Sequence, residues 1–100
     1  MATQVIRYTT KPESADENAR LIEAVFAELQ ASGAENIRYA ALRLDDGVSF
    51  VHVVDLDGGE NPLFSSSAFA AFTAGIADRC VEGPKPAPAT VVGSYRFPLQ

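Results

Sequence analysis

Asp46-Gly47 constrains this chain more than any other pair of residues. It lies between two runs of strand-forming residues, Ile37 to Leu44 and Val48 to Leu56, and Asp-Gly between such runs is the strongest short signal for a hairpin. With Asp46-Gly47 as the loop, Asp45 faces Val48 and the rest of the pairing follows. Arg43 then stands opposite Phe50, Ala41 opposite His52 and Tyr39 opposite Val54 on one face. Leu42 meets Val51, Ala40 meets Val53 and Arg38 meets Asp55 on the other. The opposite charges of Arg38 and Asp55 favour this register, whereas a three-residue loop would move it by one.

The flanking segments are read the same way. Gln4 to Thr10 is strand-like, and Lys11-Pro12 ends it. Ser14-Ala15-Asp16-Glu17 has the spacing of a capping box and opens a helix. Leu21, Ile22, Val25, Phe26 and Leu29 make its apolar stripe, and Gly33 is its stop. Asp57-Gly58-Gly59-Glu60-Asn61-Pro62 is a loop, anchored by Leu63 and Phe64. Ser65, Ser66 and Ser67 are three possible caps for a second helix. Phe69, Phe72, Ile76 and Cys80 share one face of it, with Gly83-Pro84 as the stop. Lys85 to Pro88 reads as an extended connector, and Ala89 to Phe97 as the last strand.

Strand, helix, strand, strand, helix, strand is the ferredoxin-like βαββαβ sandwich of the α+β class. Right-handed crossovers put both helices on one face of a four-stranded antiparallel sheet. Whichever register holds, each face of the hairpin carries several of Val, Leu, Phe, Tyr and Ala, so the uncovered face is too apolar to stay bare. A homodimer packed through its sheet faces is therefore expected.

Composition narrows the classes. One hundred residues make one domain, 1–100, with one modest core. A net charge of −5 argues against nucleic acid and anionic membranes, which need a basic footprint. Cys80 is the single cysteine, which excludes an intrachain disulfide framework and an all-cysteine zinc site. No apolar run reaches the ~20 residues of a membrane span, and Met1 to Gln4 do not open a signal peptide. The expectation is a cytoplasmic protein. The Gly58-Gly59 loop lacks the lysine and spacing of a phosphate loop, and no HExxH or CxxC motif occurs.

With these elements in place the chain resembles the antibiotic biosynthesis monooxygenase-like branch of the dimeric α+β barrel superfamily. The resemblance runs over about residues 4–97. It is carried by the element order, by Val5-Ile6-Arg7-Tyr8, by Phe50-Val51-His52-Val53 and by Phe69-Ala70-Ala71-Phe72. It implies a ligand cavity in the barrel or beside the sheet. It also implies a monooxygenase that acts without a cofactor on a small aromatic or polyketide-like molecule. Cyclases, isomerases, haem degraders and non-catalytic ligand-binding or stress-response proteins share the architecture. The chain departs from the quinol-forming members in having no tryptophan. It lacks the Asn-Trp-His set of the haem degraders, since Asn18, Asn36 and Asn61 fall outside the expected strands.

His52 is the only histidine. Sharing a face with Tyr39, Arg43 and Phe50, it is the candidate base, with Arg43 and Tyr39 as partners of a developing anion. Phe50, Tyr8 and Tyr95 are candidate ligand contacts, because a tyrosine hydroxyl can orient an aromatic substrate or donate to an oxyanion. The plainer readings are a satisfied interior histidine, arginines paired with the excess carboxylates, and tyrosines used for packing. No metal or cofactor site is expected. A small hydrophobic or aromatic ligand is.

Overall fold

The structure is a computed structural model that describes residues 2–96. Strands β1 (Ala2–Thr10), β2 (Ile37–Arg43), β3 (Ser49–Leu56) and β4 (Cys80–Ala89) form one antiparallel sheet in the order β2-β3-β1-β4. Helices α1 (Ala15–Ser32), α2 (Ser67–Ala74) and the short α3 (Ile76–Arg79) lie on one face. The α+β ferredoxin-like sandwich is therefore the fold. No helix among the described residues is long and apolar enough to cross a membrane.

The hairpin keeps the expected register throughout, Arg43 with Phe50, Ala41 with His52, Tyr39 with Val54 and Arg38 with Asp55. Its turn is built differently. A tight two-residue loop would need positive φ at Asp46 as well as at Gly47. Of the two only Gly47 has it, at 78°. The Gly47 amide instead closes on the Leu44 carbonyl at 3.0 Å. The Asp46 carboxylate accepts from the amides of Val48 and Ser49 and from the Ser49 hydroxyl, at 3.0, 2.8 and 2.6 Å. Asp46 thus acts as a local brace, which lets the strands meet in the same register from a wider turn.

Three expectations are corrected. The capping box does not form, because Pro12–Ser14 is a 3-10 turn that leaves Ser14 at ψ −4° with its hydroxyl making no cap bond. The second helix does not run on to Gly83. It ends at Ala74, and after Gly75 only the four-residue α3 precedes β4, so Cys80 opens a strand. A Cβ on Gly75 would stand 3.1 Å from Nη1 of Arg79, so the arginine folds back over the missing side chain. The last strand is Cys80–Ala89, not Ala89 to Phe97. Residues 90–96 carry no regular secondary structure, and Phe97 lies outside the described residues.

The proline run joins the sheet because it lies on an edge. Lys85, Ala87 and Ala89 pair with Arg7, Val5 and Thr3 of β1. By the twofold alternation of a strand, Pro84, Pro86 and Pro88 turn their ring nitrogens to the open side, where no donor is needed. The same device blunts the edge against pairing with other chains. Register shifts between Arg7 and Thr10 accommodate Gly83 and Pro84.

Tyr8, Ala15, Ile22, Val25, Phe50, Leu63 and Phe72 form the core between sheet and helices. Gly33 ends α1 at φ 67°, where its amide bonds the Leu29 carbonyl at 3.1 Å. The start of α2 is capped twice. The Ser66 hydroxyl accepts from the Phe69 amide at 3.0 Å. Glu28 of α1 takes the amides of Ser67 and Ala68 and the Ser67 hydroxyl, tying the two helices together. Ser66→Ala should cost about 1 kcal/mol of stability, read as a shift of the urea midpoint with unchanged slope.

Candidate functional site

His52 stands near the centre of the sheet, on β3, between Ile6 of β1 and Ala41 of β2. These neighbours are an aliphatic chain and a methyl group, so neither offers the imidazole a hydrogen bond. The next residues along each flanking strand on the same face are tyrosines, Tyr8 on β1 and Tyr39 on β2. Diagonal neighbours of this kind lie within reach of long aromatic side chains. The Tyr8 hydroxyl meets Nε2 at 2.7 Å and the Tyr39 hydroxyl meets Nδ1 at 2.6 Å. Both ring nitrogens are thereby engaged, the imidazole donating to one oxygen and accepting from the other.

The network continues into the helices. Asn18 of α1, fully buried, donates from Nδ2 to the Tyr8 hydroxyl at 2.9 Å. Arg79 of α3, 6% exposed, donates from Nε to Asn18 Oδ1 at 3.1 Å and from Nη2 to the Phe72 carbonyl at 2.7 Å. Its guanidinium lies 5.3 Å from the centre of the Phe72 ring. No described carboxylate pairs with it. Among the described residues every buried side-chain nitrogen and oxygen has a partner.

Burial sets the electrostatics. Desolvation lowers the His52 pKa to about 4, so the ring is neutral at neutral pH. Desolvation raises Tyr8 to about 12, a rise that its bond from Asn18 and the charge of Arg79 oppose. It also raises Tyr39. All three groups are therefore uncharged donors and acceptors over the ordinary range.

They form the floor of an apolar cavity of about 260 Å³. Phe69, Phe72 and Ile76 wall it from the helices, Ile6 from β1, and Pro84 and Pro86 from the edge strand. Gln4, Ile6, Tyr39 and Phe69 also line a wider cleft of about 580 Å³, which runs under the Gly59–Phe64 loop. Together they are large enough for a small organic molecule. A separate depression of about 410 Å³ beside Glu28, Asn36 and Asn61 offers less chemistry. Its polar groups are spent on the fold, Glu28 on α2, Asn36 on the Gly58 and Glu60 carbonyls, and Asn61 on the Leu63 amide. The described residues contain no group of three or more His, Cys, Asp or Glu that could hold a metal ion.

Of the residues singled out in the sequence, His52, Tyr39 and Tyr8 come together. Phe50 stacks on Tyr8 at 5.5 Å between ring centres, but it is packed in the core and does not line the cavity. Arg43 is displaced from the expected site. It shares the face, yet lies at the hairpin end, where it bonds the Gly47 carbonyl and pairs with Asp16 at 3.1 Å. Tyr95 belongs to no strand. It is 81% exposed and lines a hollow with Val5 and Val53 on the opposite sheet face. Asn18 and Arg79 were not singled out. Their signal lay in the helical period: Asn18, Ile22 and Val25 fall on one stripe, as do Phe72, Ile76 and Arg79, and a polar residue on a core stripe needs a buried partner.

The chain matches no protein-family model and no curated protein. Its fold recurs in solved structures. A protein of Nitrosomonas europaea provisionally named an antibiotic biosynthesis monooxygenase superposes with a TM-score of 0.74 at 13% identity, over 93% of this chain and 100% of that one. Rv0793 from Mycobacterium tuberculosis gives 0.69 at 12% identity, over 93% and 96%. A variant of SnoaB from Streptomyces nogalater, described as a cofactor-independent oxygenase, gives 0.59 at 16% identity, over 96% and 97%. The chain thus has the fold of the antibiotic biosynthesis monooxygenase proteins.

Burying His52 neutral makes stability depend on pH. Between its unfolded pKa of 6.5 and about 4 the unfolded chain holds a proton that the native ring does not. Stability should fall as pH drops through this window, by roughly 3 kcal/mol at most, and level off below it. Urea unfolding at pH 7 and pH 4.5 should show the loss in the wild type and a smaller loss in His52→Gln. Equal losses would mean that other groups carry the acid sensitivity.

Proposed function

We propose that this chain is a cofactor-independent monooxygenase-like enzyme. In this reading it holds a small aromatic or polyketide-like molecule in the cleft between α2 and the sheet, with an oxygen of the ligand on the Tyr39 hydroxyl. One observation carries the reading: a joined set of neutral polar groups, Tyr39, His52 and Tyr8, closes the inner end of an otherwise apolar cavity. Apolar walls select a flat hydrophobic molecule, and the few polar atoms orient it. The shared fold with SnoaB, described as a cofactor-independent oxygenase, supports the reaction class.

The geometry supports one division of labour. With Arg43 held at the hairpin end, Tyr39 is the group left to meet a developing oxyanion. His52 supports Tyr39 and presents it. The phenol or enol gives up its proton to solvent before its oxygen reaches Tyr39, and the ring becomes electron-rich. The substrate then reduces dioxygen. A carbon–oxygen bond forms, the oxygen–oxygen bond of the resulting peroxide breaks, and one oxygen stays as a carbonyl while the other leaves as water. No outside reductant is consumed.

A second reading, a ligand-binding protein of the same fold without turnover, is favoured by the same imidazole. Held near a pKa of about 4, it is a weak base at neutral pH. Oxygen uptake with a panel of polycyclic phenols and quinols separates the two. Turnover that falls in Tyr39→Phe supports the enzyme, and binding without uptake supports the binding protein. In either case Tyr39→Phe should weaken 2-naphthol binding about tenfold, the value of one hydrogen bond to a charged or strongly polar oxygen.

The open sheet face is proposed to pair with a second copy of the chain. By alternation it presents Val5, Ala40, Leu42, Val51 and Val53, with Leu42 44% exposed. Val91 and Val92 extend from β4 beside it, the latter 99% exposed. Sedimentation should give a dimer for the wild type and a monomer for Val51→Glu, with unchanged circular dichroism. A monomeric wild type would remove the proposal.

A further inference from the structure

We propose that the cavity is built to hold an anionic oxygen, because Arg79 and Asn18 fix the direction of a hydrogen-bond chain that ends in the free O–H of Tyr39. The proposal rests on the reading of the cleft as a ligand site and names what that site prefers. Asn18 and Arg79 touch no ligand here. They are positioning residues.

The direction follows from what each group can do. A guanidinium only donates, so Asn18 must turn Oδ1 to Arg79 and Nδ2 to Tyr8. The Tyr8 oxygen therefore accepts from Asn18. Tyr8 is 2% exposed, and its one remaining partner is His52 Nε2, so its proton goes there. A nitrogen that accepts carries no hydrogen, which puts the single proton of the neutral ring on Nδ1. Nδ1–H then donates to the Tyr39 oxygen. Among the described residues Tyr39 has no further acceptor, and its own proton is left for the cavity that it lines. The opposite direction would leave the buried Tyr8 proton with nothing to bond. So would an imidazolium.

Five groups in line, Arg79, Asn18, Tyr8, His52 and Tyr39, thus all donate toward the cavity. Hydrogen bonds aligned head to tail polarise one another, and the far end is a buried cation that pairs with no described carboxylate. The chain makes the terminal O–H a stronger donor than the same buried tyrosine would be without it, and a phenolate or enolate matches it best. Among charged and titratable groups near the chain, the Cys80 thiol beside Tyr8 is itself pushed up by burial, and Glu60 lines only the wider cleft.

His52 is the only histidine, so its ring nitrogens can be read without assignment ambiguity by long-range proton–nitrogen correlation. The wild type should show Nδ1–H, and Arg79→Lys, which still only donates, should keep it. Asn18→Asp offers Tyr8 an acceptor where Nδ2–H had been, so the chain should reverse to Nε2–H. Nε2–H in the wild type, a measurement that needs no variant, would overturn the proposal, as would an unmoved tautomer in a folded Asn18→Asp. The ligand half is read with 4-nitrophenol, whose anion absorbs in the visible. The wild type should bind the anion about tenfold or more over the neutral phenol, and Asn18→Asp should erase the preference. Equal binding of both forms overturns the anion claim. The expected tautomer with no binding of either form overturns the ligand-site reading and leaves only the direction of the chain.

Discussion

A charged guanidinium and an imidazole are both sealed inside this small core, and much of the helix-facing side is arranged around keeping them bonded. Arg79 needs acceptors where water cannot reach. It finds the Asn18 amide, the Phe72 carbonyl and the Phe72 ring. Gly75 leaves room for it, since a Cβ there would stand 3.1 Å from Nη1. The bond to Asn18 brings the end of α3 against α1. His52 in turn needs two partners on a sheet whose nearest neighbours are Ile6 and Ala41, and two diagonal tyrosines supply them. A half-satisfied network of this kind would be worse than an apolar core. Here every buried side-chain nitrogen and oxygen among the described residues has a partner, and the Tyr39 proton alone is left over, at the cavity.

What was legible in the sequence divides along physical lines. The register of β2 and β3 was legible because a side-chain period of two leaves few choices once one face must be apolar. His52 and Tyr39 followed from that register alone, and the structure joins them through one hydrogen bond. The details of the turn were not legible, because Asp46 could either sit in the turn or brace it, and the same register results. Arg43 was misplaced for a related reason. Sharing a face says nothing about position along the strand, and Arg43 sits at the hairpin end beside Asp16.

The proline run reads as an extended connector from its composition, which does not reveal that it lies on a sheet edge. On an edge, with prolines at every second residue, the missing donors all fall where none is required. Arg79 and Asn18 were hidden by context. Each occupies a helical stripe with apolar neighbours, and only the meeting of two stripes from distant parts of the chain makes either acceptable. Residues 61 apart in sequence share one hydrogen bond there. The likeness to solved structures, at 12–16% identity in those compared, carries the fold and leaves such pairings to each chain.

The net charge of −5 would seem to oppose an anion in the cavity, but the charges are not where the cavity is. Asp45, Asp57, Glu13, Glu17 and Glu23 are exposed, where water and salt screen them beyond about 10 Å. Among the described residues the one buried carboxylate, Asp55 at 1% exposure, faces the opposite side of the sheet, where Arg38 and Thr3 hold it. Arg79 is the reverse case, a cation shielded from solvent with no carboxylate among the described residues paired to it. In a medium of low dielectric a local charge outweighs several distant, solvated ones. In the proposed direction the positive end of the chain is Arg79, and the neutral groups between it and the cavity present a donated proton, not a charge, to the ligand.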